Sequence, residues 1–277
     1  MIAGRSFGKI NLFLKVTSKR SDGYHNISTL FSRVSIFDLV TVEASEEFNI
    51  ICSNKEIPVD ENNIVFKVWR ELKKIREISR NLKVTILKNI PSGAGLGGGS
   101  SNAATFLNLA DSYLKLNLSF EEKFEIMSRV GSDTCFFLYD TPMIGLSRGE
   151  KLLESVVPQM KILIVKPDFS ISTKEIYTSE YLKLSPEFSL PSKESLTDFN
   201  TVIALMENDL EIPAVKLFPV IEQIKIEMLN LGAVRSLMTG SGSAILGIFP
   251  TSRALKKGFE HFRMKYENYF VAETYNF

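Results

Sequence analysis

The stretch Pro91-Ser-Gly-Ala-Gly-Leu-Gly-Gly-Gly-Ser-Ser-Asn-Ala-Ala104 constrains this chain more than any other. Five glycines fall between Gly93 and Gly99. Ahead of it, Leu82-Lys-Val-Thr-Ile-Leu-Lys88 alternates in a way that predicts a strand. Behind it, Ala103, Phe106, Leu107, Ala110 and Leu114 have the spacing of one helix face. The unit is therefore strand, glycine loop, helix. Without a Cβ, the loop backbone can take positive φ and come close to a ligand. The first turn of a helix presents N–H groups without intrahelical partners, and the macrodipole adds partial positive charge. Ser100, Ser101 and Asn102 add hydrogen-bonding side chains at that end. A polyphosphate suits such a cradle.

Three glycine motifs compete for the loop, and each lacks something. The P-loop ends in Gly-Lys-Ser/Thr, whereas Gly99 is followed by Ser100 and the loop contains no lysine. Gly93-x-Gly95-x-x-Gly98 fits the dinucleotide fingerprint formally. The acid at the right distance, Asp111, falls inside the helix pattern and not at the end of a second strand. A protein-kinase loop would be followed by His-Arg-Asp and Asp-Phe-Gly, and neither occurs. A loop that only turned a corner would need fewer glycines.

The rest of the chain narrows the class. Its 277 residues suit one large or two medium domains. A net charge of +1 gives no whole-protein argument for nucleic acid or an anionic membrane, so any anion site must be local. Cys52 and Cys135 lie far apart without a CxxC, which supports neither a disulfide scaffold nor a zinc site. Lys9, Asn11 and Lys15 interrupt the apolar pattern of the first residues, and no apolar run reaches spanning length. A cytoplasmic enzyme is expected.

Ile10, Leu12, Leu14 and Val16 alternate as a half-buried strand, with Lys9 and Asn11 together on the other face. That face is either solvated or functional. Asp22-Gly23 signals a turn, directly followed by Tyr24 and His25. The pair is either structural or able to grip a flat polar base by stacking and edge hydrogen bonds. Residues 37–43 and 47–52 read as a hairpin. A helix then starts at 60–63 with Val65, Val68, Trp69, Leu72 and Ile75 on one side, Trp69 reading as core. Ser119-Phe-Glu-Glu122 is a capping box for a further helix that Gly131 stops. Asp133 follows that stop, as a turn former or as a carboxylate near the phosphate cradle. From Pro158 the pattern restarts: strands at 161–165, 234–238, 244–249 and 269–275, helices at 173–182, 194–207, 216–231 and 252–265. Setting two helices aside, the order is β-α-β-β-α-β, the split βαβ arrangement. The expected domains are 1–156 and 157–277. Thr239-Gly-Ser-Gly-Ser243 is a hairpin turn in itself. It could add N–H groups to the same polyphosphate.

Pro91–Ala104 resembles the second motif of the GHMP kinases, small-molecule kinases whose phosphate loop is unrelated to the P-loop. The resemblance covers almost the whole chain, with motifs in the family's order. Gly8-Lys9-Ile-Asn11 is similar to the first motif and Thr239–Ser243 to the third. The triple glycine, Asn102 and Asp22-Gly-Tyr-His25 look like the branch whose substrate carries a cytidine diphosphate moiety. The resemblance implies an α+β, two-domain fold. The N-terminal part would be an S5-domain-2-like ATP-binding and catalytic domain, the C-terminal part a split-βαβ, ferredoxin-like substrate-binding domain.

It also implies roles. Pro91, Ser92, Gly93, Ala94, Gly95, Leu96, Gly97, Gly98, Gly99, Ser100 and Ser101 would hold ATP, with Asn63 and Lys88 near the adenosine. Asp133 and Lys9 would be catalytic. Asn11, Tyr24, His25, Thr173 and Tyr177 would bind the substrate. Gly240, Ser241 and Gly242 form the third glycine motif. Mg²⁺ would accompany ATP, with its protein ligands unassigned. Ser92, Ser132, Thr134 and Tyr177 depart from the branch's usual residues without removing a group the chemistry needs. Two rivals stand beside this reading: a GHMP kinase acting on mevalonate, homoserine or a sugar, which would have no nucleobase to grip, and a silent nucleotide-binding protein on the same scaffold.

Overall fold

Two long strands open the chain, β1 (Ile2–Lys19) and β2 (His25–Ser45). The computed structural model describes residues 1–131 and 133–277. After β2 come β3 (Asn49–Cys52), α1 (Ile64–Ile75), β4 (Asn81–Leu87), α2 (Gly98–Leu114), α3 (Phe120–Val130), a 3₁₀ turn at Cys135–Leu138, β5 (Met143–Ser147) and β6 (Lys151–Glu154). The remainder is β7 (Lys161–Lys166), α4 (Thr173–Tyr177), α5 (Phe199–Leu205), α6 (Glu211–Leu217), α7 (Val220–Asn230), β8 (Arg235–Met238), β9 (Ile245–Phe249), α8 (Ser252–Lys265) and β10 (Phe270–Tyr275).

Two compact units result. One comprises Met1–Gly8, Ile36–Ser92 and Gly97–Asp140, the other Lys9–Ser35, Gly93–Leu96 and Thr141–Phe277. This differs from a cut at 156. β1, β2 and the glycine loop each contribute residues to both units, which no single break in the sequence can describe. β1–β6 pair among themselves, and so do β7–β10.

In the first unit, the second half of β2 runs antiparallel to β4, with Leu39 opposite Leu87 and Ser45 opposite Asn81. β3 lies on the far side of β4 and parallel to it, Asn49 opposite Lys83. The expected hairpin of 37–43 with 47–52 is thus corrected, because β4 takes the place beside β2. Val65, Val68, Trp69 and Leu72 are buried on one side of α1, as the spacing predicts. Phe48 stacks on Trp69 at 4.8 Å and 8°. The capping box of α3 is complete, with Ser119 and Glu122 each accepting the other's backbone N–H. Gly131 closes α3 in extended backbone and not as a left-handed cap.

In the second unit, the first half of β2 pairs with β5, Ile27 opposite Ser147, and β5 pairs with β6. The β5–β6 hairpin has no counterpart in the sequence patterns above. The C-terminal sheet has the order β10-β7-β9-β8, antiparallel throughout. This is the split βαβ arrangement, with α7 and α8 packed on the sheet. Leu163, Val165, Ile221, Ile224, Met228, Phe249 and Phe262 belong to its core. The helix expected at 216–231 is α7, which begins only after Pro219, and α6 ahead of it was not among the expected elements. Proline cannot continue the hydrogen-bond ladder of a preceding turn. The helices expected at 173–182 and 194–207 shorten to α4 and α5. Among the described residues no helix is long and apolar enough to cross a membrane.

Candidate active site

The glycine loop leads into α2 as its sequence implies. Gly97 is the N-cap with φ 67°, a left-handed conformation open to glycine at little cost. No side chain caps the helix, and its first turn has no acidic residue. The N–H groups of that turn therefore face outward as donors, with the positive end of the dipole behind them. Gly98 and Gly99 form the first turn itself, Gly99 being exposed. Ser101 faces the other way. It is buried, and its hydroxyl accepts from Ser6 at 2.8 Å.

The root of the loop is a buried charged network. Asp38 on β2 is fully buried. Its Oδ1 accepts the backbone N–H groups of Asn89 at 2.7 Å and Ile90 at 2.8 Å. Its Oδ2 accepts from Lys88 Nζ and, at 2.9 Å, from Asn102 Nδ2. Lys88 also donates to Asn102 Oδ1 at 3.1 Å, and Asn102 Nδ2 to Ser6 Oγ at 2.8 Å. Buried charges are tolerated when paired and fully hydrogen-bonded, and the four donors fill a carboxylate's acceptor positions. Lys88 therefore spends its ammonium at the base of the loop.

Asn63 caps α1: its Oδ1 accepts from Val65 N at 2.9 Å and its Nδ2 donates to the Pro58 carbonyl at 2.6 Å. Ile64, the next residue, lies near two glycines. A Cβ on Gly99 would stand 3.9 Å from it and one on Gly131 3.8 Å. One side chain thus separates the first turn of α2 from the segment that carries Asp133. Thr134, fully buried, fixes that segment by donating to the carbonyls of Met127 at 2.5 Å and Gly131 at 2.6 Å. Asp133 is half-buried beside it. Ser132 lies outside the described residues.

The second unit gathers the other expected residues. Lys9 is 3% exposed, so its face of β1 is not a solvated one. Its ammonium donates to Asn11 Oδ1 at 2.6 Å and lies over the Phe31 ring at 5.3 Å. Asn11 Nδ2 donates to Thr29 Oγ1 at 2.7 Å, and Asn11 N to Thr239 Oγ1 at 2.8 Å. Lys9 N donates to the Leu96 carbonyl at 2.9 Å. The two glycine segments meet in this unit. Ala244 N bonds the Ala94 carbonyl at 3.2 Å and Ser243 N the Gly93 carbonyl at 3.3 Å. Gly95 has φ 74°, and a Cβ there would collide with the Thr239 carbonyl. The third motif is therefore more than a hairpin turn, since it braces residues 93–96.

His25 and Tyr177 stack at 5.3 Å and 29°. Burial, with Lys19 nearby, pushes the His25 imidazole below its ordinary value of 6.5, so the neutral ring is favoured at neutral pH. Tyr24 is 54% exposed, with the Arg148 guanidinium over its ring at 5.2 Å. Thr173 and Ser241 share a hydrogen bond of 2.8 Å between their hydroxyls.

Comparison with known proteins shows the family. The model for the GHMP kinases N terminal domain matches residues 63–141, and that for GHMP kinases C terminal matches 192–268. The 4-diphosphocytidyl-2-C-methyl-D-erythritol kinase of Thermoanaerobacter pseudethanolicus is 35% identical over 274 residues, 98% of this chain and 95% of that protein. The chain belongs to the GHMP kinase family. A second such kinase, from Caldicellulosiruptor bescii, is 37% identical over 254 residues, covering 88% of each chain. This GHMP kinase also resembles the crystal structure of a 4-(cytidine 5'-diphospho)-2C-methyl-D-erythritol kinase, with TM-score 0.80 and 26% identity over the full length of both chains. The mevalonate kinase of Methanococcus jannaschii shares the fold, with TM-score 0.73 and 14% identity over 100% of this chain and 98% of the other.

Sequence reasoning about this GHMP kinase missed Asp38, Thr29 and Arg148. Asp38 left a signal. In Ile36-x-Asp38-x-Val40-x-Val42 it takes a core position of the alternation, where a lone carboxylate needs partners. Thr29 and Arg148 have no such mark, because only the tertiary fold sets them beside Asn11 and Tyr24. Among the described residues no three His, Cys, Asp or Glu side chains come together to hold a metal ion.

Proposed function

We propose that the chain transfers the γ-phosphoryl group of ATP to the 2-hydroxyl of 4-diphosphocytidyl-2-C-methyl-D-erythritol, a step of non-mevalonate isoprenoid precursor synthesis, in the cytoplasm. The observation that carries the choice of substrate is the stack of His25 on Tyr177, held in the same unit as Lys9, Asn11 and the third glycine turn. A flat base can be bound by aromatic faces, while a neutral imidazole can both donate and accept at its edge. Mevalonate and homoserine have no ring to stack on such a pair, and a simple sugar has no base edge for the imidazole to bond.

Phosphoryl transfer asks mainly for positioning and charge stabilisation. The first unit supplies the uncapped first turn of α2 for the triphosphate and the Asp133 carboxylate as base or orienter of the acceptor hydroxyl. The second supplies Lys9 for the developing negative charge, Asn11 to orient the reacting end, and Tyr24, His25, Thr173 and Tyr177 for the cytidine end. Residues 93–96 are braced within the second unit by the third glycine turn, Gly240, Ser241 and Gly242. Mg²⁺ would accompany ATP on its phosphates and neutralise their charge, with its protein ligands unassigned.

ATP consumption measured with the cytidyl-diphospho alcohol, mevalonate and homoserine in parallel tests the proposal. Turnover of the first alone is expected. Turnover of mevalonate or homoserine alone would replace the substrate, and nucleotide binding without turnover of any alcohol would make the chain a silent member of its family.

A further inference from the structure

We propose that Asp38 is a positioning residue for the nucleotide: its carboxylate ties the two ends of the glycine loop together and so sets the span of the phosphate cradle. The inference rests on the reading that residues 91–101 hold the triphosphate of ATP. Asp38 does not belong to the loop. It sits on β2, fully buried, in the row of core positions that also holds Ile36, Val40 and Val42. A carboxylate at such a position is costly unless a particular geometry depends on it.

That geometry is visible in how its oxygens divide. Oδ1 takes the N–H groups of Asn89 and Ile90, the last residues before Pro91. Oδ2 takes the amide of Asn102, in the first turns of α2 just after the loop. Lys88 closes the bridge by donating to both Asp38 Oδ2 and Asn102 Oδ1. One rigid planar group therefore fixes the entry and the exit of the loop against the same strand. Ser6 extends the tie to β1, taking the other proton of Asn102 and donating to Ser101. Every polar group of the Asn102 side chain is turned inward and the residue is 3% exposed, so it acts on a ligand only through the backbone it holds. Loop amides aimed at phosphates work only when their spacing is held beforehand, and a displacement on the order of 1 Å can cost about 10²-fold.

Asp38→Asn keeps the shape but puts an NH₂ where two donors now find an oxygen. The test measures binding of ADP by calorimetry, together with KM for ATP and for the cytidyl-diphospho alcohol. Nucleotide binding weaker by about tenfold or more is expected, with KM for ATP raised and KM for the alcohol changed less than about twofold. A role in folding alone would lower Tm and the active fraction and leave both KM values unchanged, and that result would overturn the proposal. Should Asp38→Asn not fold, Asn102→Ala cuts only the exit-side tie. In folded Asn102→Ala protein ADP should bind at least about threefold more weakly, and wild-type affinity there would overturn the clamp. A wild-type chain that binds no adenine nucleotide would remove the functional reading itself, and the clamp with it, whereas wild-type binding equalled by both variants would remove the clamp alone.

Discussion

Replacing Gly95 with alanine tests how closely the two glycine segments depend on each other. Gly95 has φ 74°, where an L-residue costs about 1–2 kcal/mol. Its added Cβ would overlap the Thr239 carbonyl oxygen, well inside the 3.0 Å that real Cβ contacts respect, and would come within 3.3 Å of Gly242 N and O. Those obstacles are backbone and cannot rotate away, so the loop itself must shift. Shifting it weakens the bonds from Ala244 N to the Ala94 carbonyl and from Ser243 N to the Gly93 carbonyl, each worth about 0.5–1.5 kcal/mol. The combined cost is about 2–5 kcal/mol, or a fall in Tm of roughly 3–9 °C for a chain of this size. Turnover should drop further than stability does, by about 10²-fold in protein that is still folded, because the same shift displaces the phosphate donors. Circular dichroism melting and steady-state turnover on one preparation measure both. Gly99→Ala is the control: its Cβ meets only Ile64, at 3.9 Å, and within a helix alanine is favoured over glycine by about 1 kcal/mol. That variant should keep or raise Tm and lose nucleotide affinity. A Gly95→Ala protein with wild-type Tm and turnover would refute the reasoning.

The remaining expectations concern the chemistry and the base-binding residues. Asp133→Asn and Lys9→Ala should each lower kcat by about 10²–10⁴-fold while ADP binding by calorimetry survives, and near-wild-type turnover of Asp133→Asn would end the case for that carboxylate. Because burial lowers the pKa of His25 from 6.5, its ring should be mostly neutral at pH 6.5 and above and take up its proton with a midpoint below that value. KM for the cytidyl substrate is therefore expected to rise on acidification with its midpoint below pH 6.5, and a midpoint above 6.5 that vanishes in His25→Gln would contradict this. Tyr177→Ala should raise KM for the same substrate about tenfold with KM for ATP unmoved, since one aromatic stacking partner contributes about 1–3 kcal/mol per base.

Much of the candidate site was legible because its signals are local. Glycines spaced to permit positive φ, followed by an apolar helix face, dictate a strand-loop-helix unit whatever surrounds it, and Gly97 and α2 form as that pattern requires. The capping box at Ser119 and Glu122 and the α1 face of Val65, Val68, Trp69 and Leu72 are equally local. Strand partners are not. β3 pairs with β4 instead of β2, because register and neighbour depend on which apolar faces must be covered together. The helix expected at 216–231 starts late, at Val220, because apolar spacing continues across Phe218-Pro219.

Backbone chemistry, then, came with the amino-acid order: a loop that can bend to a phosphate, a helix end to meet it, and the residue types of a kinase. Tertiary structure decided the rest. It placed Asp38 under both ends of the loop, set Tyr177 against His25, and pressed Gly95 onto Thr239. It also gave residues 93–96 to one compact unit and the residues on either side to the other. The reason is that these arrangements depend on contacts between segments far apart in the chain, whose closeness is fixed only when sheets and helices bury their apolar faces together.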